Sequence, residues 1–286
     1  QKLLLDQGYW KDGLVTAPSD RDYYEDIRKS KDMGFNGCRK HEKVEDPRFL
    51  YWADKLGFLV WEAMASFWSY TPQAAEAFTR EWMDVIHRDY NHPSIIVWGM
   101  LNESWGVPRI YSNQQQQDFS RALYYLPKGL DTTRLVISND GWEMTEPDIC
   151  AFHSYKHGEK EDAAQHKLFR DSLKRLDSLH LIMEKLLFAK GSFYKGQPVV
   201  LTECGGVTIK TEAISQESME EAIREHDREW GYTSASKADF LEEYGRIVGA
   251  IYDSELIGGF CYTQLTDVEQ ETNGLLTYDH EYKFDP

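Results

Sequence analysis

The chain has 286 residues, 41% hydrophobic and 28% charged, the balance of a globular protein rather than a disordered one. With 32 Lys and Arg against 48 Asp and Glu, its formal charge of −16 repels phosphate backbones and anionic bilayers, so neither nucleic acid nor membrane is expected as a partner. No apolar run approaches the roughly 20 residues of a membrane-spanning helix, and Leu3, Leu4 and Leu5 form too short a cluster for a signal-peptide core.

In chain order, Leu3 to Tyr9 reads as a first strand. Asp20 can cap a helix over Tyr23 to Met33 that stops at Gly34. A strand at Phe35 to Lys40 leads to a helix over Pro47 to Leu56, bounded by Pro47 in its first turn and by Gly57 after it. Phe58 to Ala63 reads as the third strand. A long helix over about Gln73 to Tyr90 precedes Ile95 to Leu101, rich in Val and Ile as a strand buried on both faces should be. Gln115 to Leu126 is expected to be helical, Arg134 to Ser138 and Ile149 to His153 to be strands, and the connection between those two to be a loop. Leu168 to Phe188 reads mostly as helix, Val199 to Thr202 as a seventh strand, Asp239 to Ser254 as helix and Gly258 to Tyr262 as an eighth strand.

Strands alternating with helices predict an α/β chain with a parallel sheet, and eight of them predict a (β/α)₈ TIM barrel occupying residues 1–286 as one domain. Its last helix is expected to be missing or cut short, because Pro286 follows the eighth strand so soon. No GxGxxG or GxxxxGK follows a strand, so no nucleotide cofactor is expected. Cys38, Cys150, Cys204 and Cys261 lie in apolar, strand-like stretches without CxxC spacing. They read as buried free thiols, leaning towards a reducing, cytoplasmic compartment. The histidines lack a His-x-His pair, and His153 with His157 is a weak one, so no metal is expected.

A barrel of this type carries its active site at the C-terminal ends of its strands. The second strand ends in Arg39 and His41 and the third in Glu62. Asn102, Glu103 and Trp105 follow the fourth, and Asn139, Asp140 and Trp142 the fifth. His153 and Tyr155 close the sixth, Glu203 the seventh, and Tyr262, Thr263, Gln264 and Asp267 the eighth. Glu103 and Glu203 stand out, because three strands of separation sets them on facing sides of a small barrel's mouth. Facing carboxyls suit glycoside cleavage, one protonating the departing oxygen while the other attacks or activates water. Two solvated or ion-paired strand-terminal glutamates would look the same from position alone.

The stretch Asn91-His92-Pro93-Ser94-Ile95-Ile96-Val97-Trp98-Gly99-Met100-Leu101-Asn102-Glu103 closely resembles the acid/base segment of glycoside hydrolase family 2, which includes beta-galactosidases, beta-glucuronidases and beta-mannosidases. Thr202-Glu203-Cys204-Gly205 resembles its nucleophile segment, Asp131-Thr132-Thr133-Arg134 the turn before its fifth strand, and Gly274-Leu275-Leu276-Thr277-Tyr278-Asp279 the loop after its eighth. The resemblance implies a retaining, exo-acting beta-glycosidase with Glu103 as acid/base and Glu203 as nucleophile, and upstream β-sandwich domains in a longer protein. It implies Arg39 beside the nucleophile, Tyr155 in contact with it, Asn102 on the sugar 2-hydroxyl, and His41 near the arginine. Trp105 and Trp142 are candidates either for stacking on sugar or for loop packing. Glu62 either joins the sugar site or balances Arg39. Asp140 and His153 complete the binding set, with Tyr262 or Gln264 standing where galactosidases and glucuronidases usually carry a tryptophan. The acidic stretch with Asp267, Glu269 and Glu271 favours a neutral hexoside such as a beta-galactoside over a uronide. A non-catalytic glycan-binding barrel and a cellulase-like endo-glycanase of the same clan are the competing readings.

Overall fold

In the computed structural model, which describes residues 3–7, 17–209, 232–269 and 271–285, eight strands run parallel in one sheet. The order of elements is β1 (Leu3–Gln7), α1 (Asp20–Asp32), β2 (Gly37–Lys40), α2 (Pro47–Leu56), β3 (Leu59–Ala63), α3 (Pro72–Asp89), β4 (Ile95–Gly99), α4 (Gln114–Leu130), β5 (Leu135–Ile137) and β6 (Cys150–His153). Then come α5 (Ala163–Ser172), a 3₁₀ helix (Leu176–Leu181), β7 (Val199–Gly205), β8 (Val207–Ile209), β9 (Thr233–Ala235), α6 (Phe240–Tyr252) and β10 (Ile257–Thr263). Neighbours follow the order β5-β4-β3-β2-β1-β10-β7-β6, the sequence of strands around a TIM barrel. Individual bonds join its two ends. Asp148 N donates to Val136 O (2.9 Å), Val136 N to Asp148 Oδ2 (2.7 Å), and His153 N to Gly141 O (3.3 Å). No helix intervenes between β5 and β6, as expected.

Two apolar clusters pack on the sheet. One packs Tyr23, Phe49, Phe78 and Trp82 of α1 to α3 against Val60 and Trp98. The other joins Trp61, Val97 and Ile137 to Phe152, Leu201 and Phe260 and to Phe169, Phe240 and Ile247 of the helices beyond. The four cysteines are buried and free, and burial holds the Cys150 thiol up at about 12.

Three elements differ from expectation. The segment read as one helix over Leu168 to Phe188 is α5 followed by a 3₁₀ helix. Leu173, Leu176, Leu179 and Ile182 all pack on the core, and their spacing of three is the 3₁₀ repeat, not the α repeat of 3.6. Helix α4 runs through Pro127 to Leu130, because a proline in a last turn removes only one helical bond. Strand β7 continues to Gly205, so Glu203 lies within the sheet instead of closing it. The small parallel pair β8–β9 carries no sequence signal of its own.

Much of the segment that carries the family resemblance is structural. Asp54 accepts from the His92 ring (2.7 Å) and from Ser94 N (2.9 Å), pinning the entry to β4. Buried Arg134 donates to the carbonyls of Ile95 (2.9 Å), Tyr90 (2.8 Å) and His92 (2.7 Å) and to Asp131 Oδ2 (2.7 Å). Asp131 also accepts from Trp98 Nε1 at 3.0 Å. These bonds clamp β4 to β5 at the end of the barrel away from the carboxylates. Replacing Arg134 by Met takes the side-chain donor from three carbonyls and the cation from buried Asp131, and should lower unfolding free energy by roughly 3–5 kcal/mol. Urea denaturation measures it, and a loss below about 1 kcal/mol would show that the clamp is dispensable.

Candidate active site

Strand alternation decides which side chains reach the barrel mouth, since neighbours along a strand point to opposite faces. Arg39 pairs in register with Trp61, and Lys40 with Glu62. Lys40 lies over the Phe49 ring of α2 (4.6 Å) and pairs with Glu45 (2.9 Å), so that face meets the helices and Arg39 faces inward. Arg39 is almost wholly buried, and all three of its guanidinium nitrogens donate. Nε donates to Asp140 Oδ2 (2.7 Å), Nη1 to Glu203 Oε1 (2.9 Å) and Nη2 to Asn102 Oδ1 (2.6 Å).

Glu103 sits on a tight turn after β4. Its φ is +52° and that of Ser104 is +63°, a left-handed pair of the kind that persists only where surrounding bonds impose it. Here Glu103 N donates to Asp140 O (2.9 Å), Asp140 N to Leu101 O (2.8 Å), and Ser104 N to Asn139 Oδ1 (3.0 Å). The end of β5 thus dictates where the Glu103 carboxylate points. It accepts from His153 Nδ1 at 2.7 Å.

A register shift in the β6–β7 ladder sets His153 opposite Glu203. Burial disfavours the His153 cation, but Glu203, Asp140 and Glu103 around it prevail and push its pKa up to about 10. Burial likewise opposes ionisation of Glu203. The His153, Arg39 and His41 side chains and the Tyr155 hydroxyl prevail, holding Glu203 below the ordinary carboxylate range. Tyr155 OH donates to Glu203 Oε2 (2.7 Å) and meets Thr263 Oγ1 (2.9 Å). Asp140 is held well down; burial acts against this, while Arg39, His153 and the Thr202 hydroxyl (2.6 Å) favour its anion. Desolvation lowers His41; Glu203 resists and Arg39 reinforces, and Arg39 Nη1 lies 3.3 Å from its Nδ1.

The structure gathers Arg39, His41, Asn102, Glu103, Asp140, His153, Tyr155 and Glu203 in one site. Trp142 joins it as a wall, its ring edge-on to His153 at 5.7 Å. Gln264 borders it by donating to Glu271 Oε2 at 2.9 Å. Trp105 stands on the rim, 45% exposed.

Two expected residues lie elsewhere. Glu62 neither reaches the sugar site nor balances Arg39. It is buried on the helix-facing side of β3, where burial and the neighbouring Asp89 raise its pKa well above the ordinary value despite Arg88. Its position near a strand end suggested the mouth, but alternation turns it outward. Tyr262 is also outward, packed on Tyr244 of α6 (5.0 Å) and over Gly205, where a Cβ would lie 2.2 Å from its ring. Sequence reasoning missed Thr202 as the support of Asp140, and Tyr232, whose ring stacks on Tyr155. Tyr232 follows a long stretch without a recognisable motif, so nothing marked it.

One ligand atom each from Glu103, His153 and Glu203 lie within 4.8 Å of one another, close enough to surround a small cation. A protonated His153 and the Arg39 guanidinium already supply positive charge there, so the donor set fits poorly to a resident metal.

The description "Glycosyl hydrolases family 2, TIM barrel domain" matches residues 17–283. Among curated relatives, a putative beta-glucuronidase of Formosa agariphila is 32% identical over 100 residues, 34% of this chain and 12% of that protein. A beta-galactosidase of Alteromonas mediterranea is 29% identical over 145 residues, 46% of this chain and 14% of its own length. The Bifidobacterium dentium beta-glucuronidase structure superposes with a TM-score of 0.72 at 19% identity, covering 99% of this chain and 45% of that one. A GH2 beta-galacturonidase from Eisenbergiella tayi gives 0.71 at 17% identity, covering 99% and 50%. The chain therefore spans half or less of these solved relatives and a small part of the curated ones, and the structural likeness speaks for the fold.

The charge pattern fixes a pH dependence. His153 has a raised folded pKa, so the stability it contributes is complete below its unfolded value of about 6.5 and is lost as pH rises towards about 10. Between those limits the folded chain holds up to one extra proton, a slope of up to about −1.4 kcal/mol per pH unit. His153→Asn should flatten that alkaline limb in urea titrations between pH 6 and about 10; an unchanged slope would show that His153 is neutral when folded.

Proposed function

The chain belongs to glycoside hydrolase family 2, and from that premise we propose that it is a retaining, exo-acting beta-glycosidase with Glu203 as nucleophile and Glu103 as acid/base. The observation that carries this reading is that one oxygen of Glu103 and one of Glu203 lie within 4.8 Å of each other, with a His153 ring nitrogen within the same distance of both. Retaining enzymes hold their carboxyl groups about 5–5.5 Å apart, whereas inverting ones need about 6.5–9.5 Å to admit a water between carboxylate and sugar.

In the first step Glu203 attacks the anomeric carbon while the bond from that carbon to the leaving oxygen breaks, and Glu103 gives that oxygen a proton. In the second, water attacks the same carbon, Glu103 takes the water's proton, and the bond to Glu203 breaks. Arg39, His153 and Tyr155 keep Glu203 an aligned anion. Asn102 gives its carbonyl to Arg39, so its amide N–H groups are those directed to the sugar 2-hydroxyl, a contact that strengthens in the transition state.

A neutral hexoside suits the lining, and a beta-galactoside comes first because beta-galactosidases are among the relatives. Glu271 bonds Gln264 at the mouth and is electrostatically coupled to Glu203, so a uronate carboxylate there would meet two carboxyl groups. Relatives with both specificities exist, and a panel of aryl beta-galactosides, mannosides, glucosides and glucuronides separates them. We expect the glucuronide to be turned over at least about tenfold more slowly than the preferred neutral sugar; the reverse order would overturn the neutral assignment.

For the mechanism, Glu103→Gln should reduce turnover of an aryl glycoside by about 10²–10⁴-fold, with azide restoring activity as a β-glycosyl azide. A 2-deoxy-2-fluoro glycoside should label Glu203 stoichiometrically. Near-normal turnover by both Glu103→Gln and Glu203→Gln would end the assignment of these two carboxylates, and no turnover of any aryl glycoside by the wild-type chain would leave a glycan-binding barrel.

A further inference from the structure

Two tryptophans stand in water beside the proposed proton donor. Trp68 is 79% exposed and Trp105 is 45% exposed, and their rings stack with centroids 5.2 Å apart at 26°. An isolated exposed tryptophan needs no explanation, but two forming one surface are a costly way to face solvent.

Their placement is built. Trp105 comes two residues after Glu103, and its amide closes the turn onto Asn102 O (2.9 Å). Trp68 follows β3 in a loop tied to the site at Ser66, whose Oγ accepts from Asn102 N (3.4 Å) and whose amide donates to Glu42 (3.3 Å). Phe67 anchors the same loop against Phe78 of α3 (5.2 Å) and Phe119 of α4 (6.0 Å). Between the loops lies Gly106 at φ +77°, where a Cβ would come within 2.7 Å of Phe67 O. Only glycine permits both that conformation and that approach. The pair is therefore a fixed ledge on the β3–β4 side of the mouth.

We infer that this ledge is the leaving-group subsite, and that it takes a sugar ring. The inference rests on the glycosidase reading: Glu103 must touch the departing oxygen, so whatever carries that oxygen lies on Glu103's side of the site. The form of the ledge selects the occupant. It is open, the stacked pair standing in solvent with Trp68 79% exposed. A pyranose stacks through one apolar C–H face and keeps its hydroxyls hydrated, whereas a wholly aromatic group gains most from a slot enclosed on both sides. The natural substrate is thus a glycan cut at its terminal linkage, and the same ledge would seat an acceptor sugar that intercepts the glycosyl-enzyme.

The test compares three substrates sharing the glycone that the aryl panel selects: the β-glycosyl fluoride, the aryl glycoside and a β-linked disaccharide. The fluoride has nothing to place on the ledge. In Trp68→Ala we expect fluoride hydrolysis within about twofold of wild type, with kcat/KM for the disaccharide down by about tenfold and restored by Trp68→Tyr. With fluoride as donor and free sugar as acceptor, the variant should also yield less transfer product relative to hydrolysis. Equal effects on fluoride and disaccharide, or none on either, would overturn the ledge while leaving the glycosidase reading intact. A loss confined to the aryl glycoside would replace the sugar by an aromatic aglycone. A wild-type chain that hydrolyses none of the three removes the glycosidase reading and the ledge with it.

Discussion

The Arg39 guanidinium is the point on which the site is assembled. Its three directed bonds reach Asp140, Glu203 and Asn102, so one side chain from β2 fixes groups from β4, β5 and β7 relative to one another. Such a group is tolerable inside a protein only if every donor is matched and its charge is answered nearby. Asp140 and Glu203 answer it. The planar fork also imposes direction, which a lysine ammonium at that position would not. The constraint propagates: Asp140 is itself held by Thr202, and its backbone in turn holds Glu103.

Charge bookkeeping within this cluster explains why Glu103 and Glu203 differ. Arg39 and His153 are cations, and Asp140 and Glu203 balance them. Glu203 is only 5% exposed in its side chain, whereas Glu103 is 25% exposed. Glu203 is thus enclosed by fixed donors, while Glu103 keeps an opening to water.

Strand order, and the convergence of polar residues at one end of the barrel, were legible because both follow from local patterns: Val- and Ile-rich runs, proline at helix starts, glycine at helix ends. The pairing of Glu103 with Glu203 was only half legible from position, and the family resemblance of their two segments carried the rest. The facing of individual side chains was harder. Glu62 and Tyr262 sit near strand ends as active-site residues do, but in β strands a shift of one residue reverses the face, and a run of buried residues on both faces hides the phase. The Asn91-to-Ser94 and Asp131-to-Arg134 motifs mark the family strongly, but their side chains clamp the far end of the barrel, so their signal concerns folding. Tyr232 and Trp68 reach the mouth from irregular loops, where neither periodicity nor spacing points to a partner.

The two carboxylates are mounted differently, and the difference suits the proposed chemistry. Glu203 lies inside β7, between β6 and β10, set opposite His153 with its carbonyl accepting from Ser154 N (3.0 Å). A nucleophile that must meet one carbon in line gains from such placement, because small misplacements are costly in rate. Glu103 stands on a left-handed turn, fixed by the backbone of Asp140 yet open at its tip. That carboxyl must exchange protons with a departing oxygen and then with water, partners that occupy the mouth in turn. Sheet for the attacking group and turn for the proton-transferring group follow from what each has to reach.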